Sequence, residues 1–143
     1  MQALQIERIE QGFKQLQEDF ADVEVIQSID MLIQKLNVIN AQMAFGGEQM
    51  AISKKLFNDA KLKAYTMLQD FYKTVPDKKF SPLLAKDFVS SQCSTESYNY
   101  DLAERYVRAL VHISSNIVTS ISGLKEQLKL EMQTERVPQN YNQ

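Results

Sequence analysis

Cysteine and histidine are almost missing from this chain: among 143 residues there is one of each, alongside three prolines and four glycines. A single thiol, Cys93, excludes an internal disulfide and a thiolate metal cluster. Cys93 has no histidine near it in sequence and reads as a loop or cap residue, not a nucleophile. His112 has no carboxylate or cysteine at ligand spacing and reads as a packed or interfacial side chain, not a catalytic base. Long apolar runs are lacking too. None approaches the roughly 20 residues needed to span a bilayer, so no membrane partner is expected. The opening "MQALQIERIEQGF" has no basic stretch followed by an apolar one, so no secretion signal is expected and the cytoplasm is the expected location. There is no phosphate loop, nucleophile elbow or metal box. The expectation is a protein that is not an enzyme, with no catalytic residues, cofactor, metal or small-molecule substrate.

What is present is an ordinary balance of 44% hydrophobic and 24% charged residues, too apolar for a disordered chain and of a length for a single domain. The net charge of −2 conceals an uneven distribution. Residues 1–30 carry seven acids and two bases, residues 91–143 six acids and five bases. Between them, residues 31–90 carry nine lysines against five acids. The middle of the chain is basic.

Periodicity predicts an all-α fold. Ile6, Ile9, Phe13, Leu16, Phe20 and Val23 recur at steps of three and four, a heptad seam that predicts a helix over 1–22 lying along a partner. A second seam runs through Ile29, Leu32, Leu36, Ile39 and Met43, and resumes with Met50, Phe57, Ala60, Ala64, Met67 and Phe71. Gly46 and Gly47 interrupt it at a cost of about 2 kcal/mol relative to alanine. Yet "AFGGEQM" offers no Asn, Asp, Ser or Pro to build a turn, and the register survives. The spacing predicts one helix over 23–74, continuous or kinked at the pair, in preference to the alternative of a hairpin that turns back there. At about 1.5 Å per residue it would approach 80 Å, a length that needs partners.

Pro76, Asp77 and Pro82 punctuate a connection, and Ser81–Pro82 reads as N-cap and first position of a short helix over 82–90. A last long helix is predicted over 95–135, with a frayed tail at 136–143. The long helices are expected to form a hairpin or coiled-coil-like arrangement that oligomerises.

Two faces carry the functional reading. On the helix around residues 48–74, Leu56, Phe57, Ala60, Ala64, Met67, Leu68 and Phe71 form the expected apolar side. Opposite lie Lys54, Lys55, Lys61, Tyr65, Tyr72 and Lys73, an acid-free stripe, and Lys78, Lys79 and Lys86 extend it. Lysines for phosphates and rings for bases are what single-strand recognition uses, although lysine stripes are more often solvated faces. On the last helix the apolar face is Ala103, Tyr106, Leu110, Ile113, Ile117, Ile121, Leu124 and Leu128. Nothing between Ala109 and Leu124 is charged, and its back carries His112, Ser115, Asn116 and Thr119. An uncharged back suits close approach of another helix. With Ile6, Ile9, Phe13 and Leu16 these residues are the expected homo-oligomer interface.

The stretches "KKLFNDAKLKAYTMLQDFYK" and "KDFVSSQCSTESYNYDLAERYVRALVHISSNIVTSISGLKEQLK" resemble the recombination-mediator proteins of tailed phages over roughly residues 50–130. The shared features are a long helix bearing lysine and tyrosine, a short connection, and a D-x-hydrophobic-S-S step before the last helix. The family often closes its first long helix with two aromatics and a glycine–basic turn; here Phe71, Tyr72 and Lys73 are present and the glycine is not. The resemblance implies an oligomer that binds single-stranded DNA and helps load a phage recombinase. The competing expectation is a helical interaction module, an adaptor, assembly factor or inhibitor, without nucleic-acid binding.

Overall fold

The computed structural model describes residues 3–75 and 81–136. It is all-α: four helices, a 3-10 turn, and no strand among the described residues. The helices are α1 (Ile6–Asp19), α2 (Ile29–Thr74), α3 (Pro82–Gln92) and α4 (Ser94–Arg136). The chain divides into two compact units, where its length predicts a single domain. One unit comprises residues 1–10 and 45–107, the other 11–44 and 108–143.

α2 continues uninterrupted through Gly46 and Gly47, and neither glycine takes a positive φ. A β-carbon on Gly47 would meet nothing within 4 Å, so this glycine relieves no crowding within the chain. Gly47→Ala is therefore expected to stabilise the fold by about 1 kcal/mol, through helix propensity and a less flexible unfolded chain. A urea midpoint that rises with unchanged slope would show it; a fall would mean that the glycine performs a role its surroundings do not reveal.

The expected start of this helix at residue 23 is corrected. Val23–Val25 form a 3-10 turn, and α2 begins only at Ile29. Ser28 supplies the stop: its Oγ accepts the N–H of Met31 at 3.3 Å and caps the new helix. β-branched Val23, Val25 and Ile26 favour helix little, so the cap decides the boundary. α1 is likewise shorter than the expected 1–22. The other ends follow the chain chemistry. Ser81 Oγ accepts the N–H of Leu84 at 3.2 Å with Pro82 in the first turn, as the sequence predicts. Cys93 alone separates α3 from α4, its N–H bonded to the carbonyl of Val89 at 3.1 Å.

In the first unit, Ala64 and Leu68 of α2 pack with Val89 and Cys93, joined by Phe57, Ala60, Tyr72, Ala85 and Phe88. Small Ala60 and Ala64 let α3 approach closely. Further along, Tyr106 of α4 is buried, its ring edge-on to Phe45 at 6.4 Å, and the Arg8 guanidinium lies 4.0 Å over Phe45. Gln49, also buried, ties down the entering chain: its Oε1 accepts the N–H of Gln5 at 2.6 Å, and its Nε2 donates to the carbonyl of Ala3 at 3.4 Å. In the second unit Leu16, Phe20, Val23, Leu32, Ile39, Leu110, Ile117 and Ile121 are buried. Lys35 closes that unit's first turn, donating to the carbonyl of Asp19 and pairing with Asp22 at 3.6 Å.

The N-terminal seam is corrected by this packing. Ile9 and Leu16 are 0% and 5% exposed within a single chain, and Ile6 and Phe13 are half-buried. A heptad seam records only that a helix is covered along one stripe; here the chain covers it itself, so these residues offer a second copy little surface. The 136–143 tail, from Val137 onward, lies outside the described residues.

Candidate nucleic-acid and self-association interfaces

The core side of α2 in the first unit is rotated from the expected one. Gln49 and Ser53 are buried beside Ala64 and Leu68, whereas Leu56, Met67 and Phe71 are 43%, 45% and 38% exposed. Gln49, Ser53, Phe57, Ala60, Ala64 and Leu68 form a regular seam at steps of three and four. Two polar members hid it from a reading based on hydrophobicity. Their polar groups are satisfied: Gln49 by the N-terminal backbone, and Ser53 by donating to the carbonyl of Met50 at 2.9 Å.

The rotation reassigns part of the lysine and tyrosine stripe. Lys61 is half-buried with its ammonium 4.4 Å from the Phe57 ring centroid, and that ring also stacks with Tyr100 at 6.2 Å and 20°. Tyr72 is half-buried against the Ala64–Leu68–Val89–Cys93 cluster, so it is a packing residue and not an open stacking platform. Lys54, Lys55, Lys73 and Lys86 are exposed, as is Tyr65 at 50%. Lys78 and Lys79 lie outside the described residues.

The exposed members on α2 still share one face, whereas Lys86 lies on α3. At about 100° per residue, Lys54, Lys55, Asn58, Leu62, Tyr65, Gln69 and Lys73 fall within about a 100° sector of α2. All are exposed and none is acidic; Asp59 and Asp70 begin beyond the sector. Leu62, 68% exposed, joins Tyr65 at the centre of this face with lysines toward both ends. Leu62 is the residue that charge counting missed.

A cleft of about 490 Å³ adjoins this region, lined by Phe57, Lys61, Cys93, Ser97, Tyr98 and Asp101 among others. Burial pushes the Cys93 thiol above its ordinary range, Glu96 adds to the shift and Lys61 opposes it. A buried thiol held protonated is a poor nucleophile. Asp101 is engaged by Arg105 at 2.8 Å. Among the described residues no group of three or more His, Cys, Asp or Glu could hold a metal, and no helix is long and apolar enough to cross a membrane.

On α4 the predicted apolar face is buried from Ala103 to Ile121, with Ile113 and Leu124 half-buried. Its back is open in the single chain. His112, Ser115, Asn116 and Thr119 are all exposed, Asn116 Nδ2 lies 3.4 Å from His112 Nε2, and Val111 and Val118 are each 49% exposed. The expected burial of this helix on a second side is therefore not supplied within one chain.

Compared with family models, with curated proteins and with solved structures, the chain matches none.

Proposed function

We propose that the protein is a non-enzymatic, self-associating helical protein that binds single-stranded DNA and assists recombinase loading, the setting suggested by its resemblance to phage mediators. The observation that carries the DNA reading is the exposed, acid-free face of α2 from Lys54 to Lys73, with Tyr65 and Leu62 at its middle. Lysines at its ends neutralise phosphates, and the tyrosine ring offers a stacking surface that tolerates any base. One such face is weak against a net charge of −2. Repetition in an assembly formed through the uncharged back of α4 multiplies it by avidity.

Titration of a labelled oligo-dT with the protein between about 50 and 200 mM salt tests this reading. Binding is expected to fall steeply, with a log–log slope of about −0.7 per phosphate neutralised, so roughly −2 if three lysines act in each chain. An absence of binding at the lowest salt favours the second reading, a helical adaptor or assembly factor without nucleic-acid binding. That alternative draws on the same exposed apolar residues: Leu56 and Met67 on α2, Val111 and Val118 on α4.

A further inference from the structure

The end of α4 is exposed on every side. Each residue from Lys125 to Glu135 is exposed although the helix continues to Arg136. The seam that is buried as Ile117 and Ile121 and half-covered at Leu124 runs on through Leu128 and Met132, which are 49% and 59% exposed. The reason is the late start of α2. Ser28, Ile29 and Asp30 face Leu124, Leu128 and Glu131 across a groove of about 360 Å³. The seam thus outruns the helix that covers it within this unit.

Charge is sorted about the exposed seam. At about 100° per residue, Lys125 and Lys129 lie to one side of the Leu128–Met132 line, and Glu131 and Glu135 to the other. Among the described residues these groups make only weak surface contacts: Lys129 with Glu126 at 3.5 Å, and Gln127 with Glu131 at 3.4 Å. Two helices related by a twofold axis along their length bring the right flank of one against the left flank of the other. Lysines then face glutamates on both sides of the seam. An antiparallel pair brings like flanks together, setting lysine against lysine and glutamate against glutamate.

We infer that the 125–136 segment of α4 pairs in parallel with the same segment of a second copy, burying Leu128 and Met132 between a basic flank and an acidic one. This contact is separate from the Ser115–Thr119 face. It rests on the reading that the chain self-associates and is independent of DNA binding.

The test uses the full chain carrying Cys93→Ala, so that an introduced cysteine is the only thiol. Under mild oxidation Leu128→Cys is expected to give a disulfide-linked dimer, since parallel pairing sets each seam residue beside its own copy. Leu130→Cys, on the opposite side of the helix, is expected to cross-link at least tenfold more slowly. Adding Glu131→Lys with Glu135→Lys to the Leu128→Cys chain should slow its cross-linking about tenfold or more, as should adding Lys125→Glu with Lys129→Glu. A mixture of the two reversed chains should restore cross-linking, as a mixed dimer. Circular dichroism on each variant establishes that helicity is retained. Equal cross-linking at 128 and 130, indifference to charge reversal, or preferential pairing of Leu128→Cys with Met132→Cys would each overturn the proposal. Ser115→Glu with Thr119→Glu should leave the 128 cross-link in place, which separates failure of this contact from failure of the other interface.

Discussion

Replacing Lys54, Lys55 and Lys73 with glutamate is expected to abolish single-stranded DNA binding while leaving helicity and assembly size unchanged. The three side chains are exposed, and none has an ion pair within 4 Å among the described residues, so their removal disturbs no packing. Each exchange removes a cation from a phosphate and sets an anion in its place, and together the losses should exceed about a hundredfold in affinity at low salt. Lys61 is left out because its ammonium rests on the Phe57 ring, and altering it would disturb that packing as well as the charge. Tyr65→Ala tests the stacking component separately: about 1–3 kcal/mol, with little change in salt slope. Anisotropy titrations of all variants beside circular dichroism and sedimentation distinguish a lost binding face from a lost fold. A triple variant that binds like the wild type would remove the α2 face from the argument.

The largest effect on stability is expected at Tyr106. Its side chain is 1% exposed, among the largest fully buried in the chain, and packs against Phe45, which Arg8 covers. Tyr106→Ala should cost about 3–5 kcal/mol, through lost burial and an unfilled cavity. That is a substantial part of the roughly 5–15 kcal/mol typical of a folded domain. With a slope near 2 kcal/mol per molar, the urea midpoint would fall by about 2 M. Tyr106→Phe separates the ring from the hydroxyl. Burial raises the Tyr106 pKa above its ordinary value, with Arg8 opposing. The folded chain therefore keeps the phenol proton over a range in which the unfolded chain has lost it. The phenol's contribution to stability should accordingly be constant below about pH 10 and decline as pH rises above it. Tyr106→Phe should lack this part of the alkaline decline; equal pH profiles for wild type and variant would show that the phenol contributes nothing to it.

Helix content and the passage of α2 through Gly46–Gly47 were legible because both depend on local chemistry. Helix formers flank the glycines, nothing nearby builds a turn, and the seam keeps its register across them. Ser81–Pro82 likewise marks a helix start by hydrogen bonding within four residues. Ser28 carries the same signal more faintly, and although the first seam ends at Val23 and the second starts at Ile29, the expected helix begins at residue 23 and not at this cap.

The functional faces were legible only in part. Periodicity identified α2 near residues 48–74 as two-sided, but an apolar stripe wider than the contact it makes leaves its orientation open by a fraction of a turn. Gln49 and Ser53 show how the choice is made. Their hydrogen bonds to backbone make them acceptable inside, and their burial brings Lys61 and Tyr72 inward and leaves Leu56 and Met67 outside.

The sequence alone determined the all-α character, the Ser81–Pro82 helix start, the acid-free lysine face and the uncharged run on α4, because each arises from side chains within a few turns of one another. Tertiary structure decided which stripes are covered: that the Ile9–Leu16 seam is buried by its own chain, that Tyr65 is open where Tyr72 is packed, and that the seam of α4 outruns α2 at Leu128. The physical reason is that burial is a property of pairs of helices. A helix specifies its own stripe, but the length and position of its neighbour decide how much of that stripe is hidden from water.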